Sequence, residues 1–111
     1  MRTRPEVITL CGSTQFREQF FETQERLTLE GKIVFSVGVF VHADGKQISA
    51  EQKQKLDELH LRKIDLSDGI YVIDVNGYIG ESTRREIKYA RKEGKFVRFY
   101  SVELQRKNEH Q

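Results

Sequence analysis

Cysteine is nearly missing from this chain, which has a single one, Cys11, among its 111 residues. One thiol cannot form a disulfide within the chain, and we expect no cysteine-based metal site. The three histidines, His42, His60 and His110, lie far apart, without the short spacing of a metal-binding motif. We therefore expect no metal centre and no cofactor.

Long apolar runs and a strong charge of one sign are also lacking. No run approaches the length of a membrane span, and residues 1–6 have no apolar core of a signal peptide, which favours the cytoplasm. Nineteen basic residues against 17 acidic ones leave a formal charge of +2, too balanced to predict binding of nucleic acid. The length predicts one domain, residues 1–111, in which 101–111 form a polar tail that is frayed or weakly helical.

Short apolar segments alternate with longer amphipathic ones. Strands are predicted at residues 6–11, 32–41, 70–75 and 95–100, since each is short and rich in β-branched or aromatic residues. Helices are predicted over 14–30, with Gly31 at the C-terminal cap, over 49–66, with a capping box of Ser49 and Gln52, and from about 82 to 94. The β-α-β-α-β-α-β order predicts an α/β fold, a small doubly wound, Rossmann- or flavodoxin-like parallel sheet in the order 2-1-3-4 with helices on both faces.

The second predicted helix carries two apolar stripes. Leu56, Leu59 and Leu66 lie on one side, and Leu61 and Ile64 lie on another. One stripe is expected to meet the sheet. The second is either additional core or a surface for a partner chain.

The strand order also predicts where a ligand binds. In open α/β sheets the crevice lies beyond the carboxyl ends of the strands, where the strand order reverses, here between strands 1 and 3. The flanking loops are Gly12-Ser13-Thr14 and residues 74–82, and the loop after strand 2 adds His42 and Asp44.

The segment at residues 77–90 permits a structural and a functional interpretation. Thr83 and Glu86 match a capping box, and Glu81 suits the positive end of a helix, so the segment can be a helix start and nothing more. Equally, a carboxylate in the first helical turn, at the mouth of the crevice, is rigid and expected to be ionised at neutral pH, which suits a nucleophile that attacks a sugar carbon. Gly77 and Gly80 would let a ligand approach the backbone.

Hydroxyl groups accompany these carboxylates. Ser13, Ser82 and Thr83 lie at predicted helix starts, where free N–H groups hold phosphate or sugar oxygens. Ser13 and Ser82 are our candidates for the phosphate or the 5'-hydroxyl. Asp74, at the end of strand 3, is a candidate for binding sugar hydroxyls or capping the loop.

Three segments, Cys11-Gly12-Ser13, Asp65-Leu-Ser-Asp68 and above all Gly80-Glu-Ser-Thr-Arg-Arg-Glu-Ile-Lys-Tyr-Ala90, together resemble the nucleoside 2-deoxyribosyltransferase superfamily. That superfamily includes deoxynucleoside 5'-monophosphate N-glycosidases. Its loop reads roughly Gly-Thr-x-x-Glu-Ile-Gly-Tyr-Ala, so that Glu86 falls on the family's glutamate and Lys88 stands in place of a small residue. In element order the resemblance spans residues 7–100.

The resemblance implies that Glu86 attacks C1' of a (deoxy)nucleoside or its 5'-monophosphate, with Glu81 as a competing carboxylate. It further implies an aspartate that orients the sugar, for which Asp65 and His60 are the candidates and Asp57 a poorer match. Relatives often complete their sites across subunits, so a homo-oligomer is implied, with a nucleoside or nucleotide as partner and neither nucleic acid nor a membrane. The implied substrate-binding residues are Cys11, Gly12, Ser13, Asp74, Gly77, Gly80, Ser82 and Thr83.

Several functions remain open at this point. Hydrolases and transferases of this type differ mainly in whether water or a second base accepts the sugar. The rivals are a non-catalytic nucleotide-binding domain, a phosphoribohydrolase, an enzyme that cleaves the glycosidic bond of NAD, and a pure interaction module.

Overall fold

The computed structural model describes residues 4–109, so that 1–3 and 110–111, with His110 and the outermost residues of the predicted tail, lie outside the described residues. The helices and strands follow each other as β1 (Val7–Gly12), α1 (Arg17–Leu29), β2 (Ile33–Phe35), α2 (Ala50–Asp65), β3 (Gly69–Ile73), a single 3-10 turn (Val75–Gly77), α3 (Glu81–Lys92), β4 (Phe96–Phe99) and α4 (Tyr100–Glu109). Between residues 4 and 109, no helix has the length and apolar character to cross a membrane.

The four strands form one parallel sheet in the order β2-β1-β3-β4, which confirms the predicted topology. β1 pairs with the whole of β3, from Ile8 opposite Gly69 to Gly12 opposite Ile73. Their carboxyl ends therefore finish level with each other. The loops that follow them leave the sheet at the same edge, where the reversal of strand order predicts a crevice.

Helices cover both faces of the sheet, as predicted. On one face, Ile8 and Leu10 of β1 pack in a buried cluster with Phe20 and Leu27 of α1, and Tyr100 of α4 packs against it. The other face carries α2 and α3 in a second cluster, whose buried members are Cys11, Ile64, Ile70, Val72, Ile87 and Ala90. Successive residues of β1 thus enter opposite cores, as the pleat of a strand requires.

The second strand is much shorter than predicted. It contains Ile33–Phe35, whereas residues 36–41 form a loop, so the prediction of a strand over 32–41 is wrong for its second half. Gly38 has a φ of +79°, a left-handed backbone conformation that a regular strand does not contain. Two apolar residues of this loop are nevertheless shielded from water, because Phe40 is buried in the core and Val37 packs against it.

The two predicted stripes of α2 have different outcomes. Its capping box is confirmed, since the Ser49 hydroxyl accepts the Gln52 N–H at 3.0 Å and the Gln52 side chain accepts the Ser49 N–H at 3.0 Å. In the stripe of Leu61 and Ile64, Ile64 is buried in the cluster that α2 and α3 form on the sheet. Leu59 and Leu66 are 55% and 69% exposed, so this part of the other stripe meets no core of its own chain.

The predicted polar tail forms a helix, α4. Its first turn is tied to the end of β3, where the Asp74 carboxylate accepts the Ser101 N–H at 2.8 Å and the Ser101 hydroxyl at 2.7 Å. A second tie joins Glu103 to the guanidinium of Arg98 on β4, with two N–O distances of 2.8 and 2.9 Å. These contacts hold α4 against the sheet edge and give Asp74 a structural role.

Candidate active site

A cavity of about 370 Å³ opens beyond the carboxyl ends of β1 and β3, at the predicted crevice. The loop after β1 supplies Gly12, Ser13 and Thr14, and the loop and first turns at the start of α3 supply Gly80, Glu81, Ser82, Thr83 and Glu86. A third wall is apolar and comes from Val37, Val39, Val41 and Ile48 of the loop between β2 and α2, together with Leu56 of α2. The cavity thus has hydroxyls and carboxylates on one side and aliphatic side chains on the other.

Glu86 faces this cavity and takes no part in capping its helix. α3 begins at Glu81, with Gly80 in the N-cap position and no side-chain hydrogen bond to the cap, so the capping box of Thr83 and Glu86 does not form. Glu86 lies in the second turn, where the backbone N–H groups are already bonded within the helix. Its side chain is 13% exposed and lines the cavity.

Two buried polar side chains lie against Glu86. The Nε2 atom of His60, on α2, is 3.7 Å from Glu86 Oε1 and 3.3 Å from the Sγ atom of Cys11, on β1. The Cys11 thiol lowers the pKa of Glu86, and the Leu10 backbone raises the pKa of His60, but burial acts in the opposite direction and outweighs both. Because the thiol carries one proton, it donates to only one of its two neighbours at a time.

Burial dominates the ionisation of this group of side chains. It raises the pKa of Glu86 to about 7 and the pKa of the Cys11 thiol well above its usual range, and it lowers the pKa of His60 to about 4. The imidazole is therefore neutral at pH 7, so its contact with Glu86 is not an ion pair there. The expectation of a fully ionised carboxylate is wrong for the same reason, since Glu86 sits deeper than a first-turn residue.

The face of α2 that meets the cavity is polar at its N-terminal end. Lys53 and Asp57 line the cavity, with 2.9 Å between the Lys53 ammonium and the Asp57 carboxylate. Lys53 also lies 3.5 Å from the Ser82 hydroxyl of α3. These contacts place an aspartate on the same cavity as Glu86.

Gly12 brings the backbone of β1 close to β3 at the cavity floor. Its φ is +148°, and a Cβ atom at this position would come within 2.8 Å of the Ile73 carbonyl oxygen. Any side chain here would therefore push the two strands apart.

The structure brings most of the predicted site residues together. Glu86, His60, Gly12, Ser13, Gly80, Ser82 and Thr83 line the cavity, and Cys11 lies behind it in contact with His60. Glu81 also lines it, but its side chain is 89% exposed and pairs with Arg85 at 3.4 Å. Between the two competing carboxylates, only Glu86 is enclosed. Lys88, which replaces the small residue of the resembling loop, is exposed and outside the cavity lining.

Three predicted site residues lie elsewhere. Asp65 accepts the Tyr89 hydroxyl at 2.5 Å and pairs with Arg62 at 3.2 Å, outside the cavity lining. Asp74 is buried against Ser101, and Gly77 is in the exposed 3-10 turn. Of the three residues considered for orienting the sugar, Asp57 and His60 line the cavity and Asp65 does not.

Lys53 and the aliphatic wall were not predicted as parts of the site, although the sequence of α2 contains a signal for Lys53. Lys53, Asp57, His60 and Ile64 are spaced by four, three and four residues, so they share the helix face that Ile64 buries. Polar residues on a core-facing stripe indicate a cavity there. No comparable signal marked the valines, whose apolar run is typical of a strand.

This cavity can hold a small ligand with a polar and an apolar half. It offers the enclosed Glu86 carboxylate, the Asp57 carboxylate paired with Lys53, several hydroxyls and an aliphatic wall. In comparisons with protein-family models and with curated proteins, the sequence matches none of them.

Proposed function

We propose that the protein cleaves or transfers the N-glycosidic bond of a (deoxy)nucleoside or its 5'-monophosphate, with Glu86 as the nucleophile. One observation carries this proposal, the position of an enclosed carboxylate that lines a cavity and is not engaged in capping. The resemblance of residues 80–90 to the nucleoside 2-deoxyribosyltransferase loop assigns the same residue.

The two halves of the cavity suit the two halves of such a substrate. Val37, Val39 and Val41 offer an aliphatic surface for a planar base, while Ser13 and Ser82 offer hydroxyls to the sugar or to its 5'-substituent. A volume of about 370 Å³ falls in the range of small-molecule sites. The anomeric carbon would lie between these halves, next to Glu86.

The chemistry proceeds in two steps. An oxygen of the Glu86 carboxylate bonds to C1' while the C1'–N bond breaks, and its electron pair leaves with the base, which takes a proton from water. The resulting glycosyl ester is then opened by water, which regenerates Glu86 and yields the free sugar, or by a second base, which yields a new nucleoside. Asp57 replaces Asp65 as the residue proposed to orient the sugar, because Asp57 lines the cavity and Asp65 does not.

A screen for base release tests the proposal. Purified protein is incubated with deoxynucleosides, ribonucleosides, their 5'-monophosphates and NAD, and free base is separated by chromatography. Wild-type protein is expected to release base from at least one of them, and Glu86→Gln is expected to lower the rate by about a thousandfold or more. Glu81→Gln, five residues away on the same helix, is the matched control and is expected to keep the rate within a few fold.

Two results would contradict the proposal. One is an active Glu86→Gln variant. The other is a wild-type protein that binds nucleotides in calorimetry and releases no base from any of them, which would identify a non-catalytic nucleotide-binding domain.

A further inference from the structure

The three side chains behind the cavity come from separate elements and direct one ligating atom each to a common point. Cys11 lies on β1, His60 on α2 and Glu86 on α3, and their Sγ, nitrogen and oxygen atoms all lie within 4.8 Å of one another. Sulfur, imidazole nitrogen and carboxylate oxygen are the three ligand types that zinc accepts. We call this group the Cys-His-Glu cluster.

The spacing of the cluster fits a tetrahedral ion. With a Zn–S bond of about 2.3 Å, Zn–N and Zn–O bonds of about 2.0 Å and tetrahedral angles, the sulfur and nitrogen ligands are about 3.5 Å apart and the nitrogen and oxygen ligands about 3.3 Å apart. The observed separations are 3.3 Å between Cys11 Sγ and His60 Nε2 and 3.7 Å between His60 Nε2 and Glu86 Oε1. Each of these two separations lies within a few tenths of an ångström of the tetrahedral value, and the third pair, Cys11 Sγ and the Glu86 oxygen, lies within 4.8 Å.

The negative charge of the cluster also favours a divalent cation. Among residues 4–109, no lysine or arginine forms an ion pair with the enclosed Glu86 carboxylate, so Arg85 and Lys53 stabilise its charge only from a distance and burial of that charge remains costly. A carboxylate, a thiolate and a neutral imidazole carry two negative charges, which a divalent cation balances.

The cluster also borders the cavity, because His60 and Glu86 both line it. An ion between the three ligands can therefore enter through the cavity and take water or a small anion as its fourth ligand. A thiolate and an imidazole favour zinc over magnesium or calcium, which prefer oxygen ligands alone.

We propose that Cys11, His60 and Glu86 form a binding site for a thiophilic divalent metal ion of the zinc type, and that its occupation withdraws Glu86 from attack on a substrate. Binding releases the thiol proton to solvent, together with the carboxyl proton in those molecules whose Glu86 is protonated, and forms one bond from the ion to each of the three side chains. The metal site stands independently of the proposed function, whereas its inhibitory consequence rests on that function.

Cobalt spectroscopy tests the site without any assay of activity. Full-length protein is stripped with a chelator, kept reduced with a phosphine and titrated with Co²⁺. We expect one Co²⁺ per chain, visible bands of tetrahedral cobalt and a near-ultraviolet thiolate-to-cobalt band, all lost on addition of equimolar Zn²⁺. Absence of the thiolate band in wild-type protein would overturn the proposal.

Variants assign the ligands. Cys11→Ala is expected to abolish the thiolate band, and Glu86→Gln, which keeps the side-chain volume, is expected to weaken Co²⁺ binding at least tenfold. Glu81 lines the same cavity but does not belong to the cluster, so the Glu81→Gln variant is expected to bind Co²⁺ like wild type. Circular dichroism confirms that each variant is folded, and a thiolate band that persists in folded Cys11→Ala, or wild-type affinity in Glu86→Gln, would overturn the assignment.

Activity separates the two proposals. If the protein releases base, Zn²⁺ at one equivalent is expected to stop the reaction and a chelator to restore it, and activity that is unchanged in Zn²⁺-loaded protein would overturn the inhibitory role. If wild-type protein binds Co²⁺ through the thiolate and releases no base, the metal site stands and the proposed glycosidic chemistry fails.

Discussion

Glu86 is a carboxylate held largely out of water, beside the neutral imidazole of His60. Burial raises the pKa of Glu86 to about 7, above the value of 4.5 in the unfolded chain, because ionising the carboxyl group in this environment costs free energy. A group whose pKa is raised by folding stabilises the fold when it is protonated. Its contribution is therefore fully present below pH 4.5 and is lost as the pH rises through about 7.

This linkage predicts how a neutral replacement changes stability with pH. In metal-free protein, Glu86→Gln is expected to raise the free energy of unfolding at pH 8 by roughly 2 kcal/mol relative to wild type, because glutamine never has to be charged. At pH 5 the two proteins are expected to differ by much less. Urea unfolding at both pH values measures the difference, and an effect of equal size at the two would contradict the raised pKa.

A second prediction separates the two aspartates. Asp57→Asn is expected to lower base release at least about tenfold, because Asp57 lines the cavity, whereas Asp65→Asn is expected to stay within a few fold, because Asp65 is bonded to Tyr89 and Arg62 outside it. Initial rates on the substrate found in the screen measure both. Greater loss in Asp65→Asn would return the sugar-orienting role to that residue.

At the scale of the elements, the sequence was sufficient for the order of strands and helices and for the edge of the sheet that carries the site. Those features depend on local periodicity and on the ordering rules of parallel sheets, so Ile70–Val75 and the Ser49 cap could be located without coordinates. The length of β2 could not, because an apolar run does not show which of its residues pair with a neighbour.

The Cys-His-Glu cluster was beyond prediction for a related reason. Cys11 and His60 are 49 residues apart in the chain, and a histidine without a neighbouring ligand gives no motif. The expectation of no metal site considered ligands that lie close in sequence. Parallel strands and their crossover helices bring together residues from distant segments, and only the packing of α2 and α3 on the sheet reveals which ones meet.

The helix α4 offers a prediction at this scale. Asp74→Ala is expected to lower the free energy of unfolding by about 1–2 kcal/mol, because it leaves the Ser101 N–H and hydroxyl without their acceptor. Amide hydrogen exchange is expected to accelerate first in the turn around Ser101. Asp74→Asn, which keeps one acceptor oxygen, is the control and is expected to lose less. Unchanged protection of α4 in Asp74→Ala would show that Asp74 does not hold it.

At the scale of the whole molecule, Leu59 of α2 and Leu66 at its C-cap are exposed to solvent about two helical turns apart on one side. Because two leucines at this spacing suit contact with another apolar surface, we expect a homo-oligomer that buries them. Light scattering at micromolar concentration is expected to give a mass of at least two chains, and Leu59→Lys combined with Leu66→Lys is expected to give a monomer. A monomeric wild-type protein would contradict this expectation.

Most of the aliphatic wall of the cavity belongs to a loop, with Leu56 of α2 beside it, while Glu86, His60 and Cys11 belong to helices and a strand. Loops accept insertions and exchanges that a paired strand does not, since few of their backbone groups bond to neighbours. If the cavity holds a nucleoside as proposed, exchanging Val39, Val41 or Ile48 while Phe40 stays in the core would change which base fits and leave the carboxylate of Glu86 in place. Selectivity and reactivity would then diversify independently of each other.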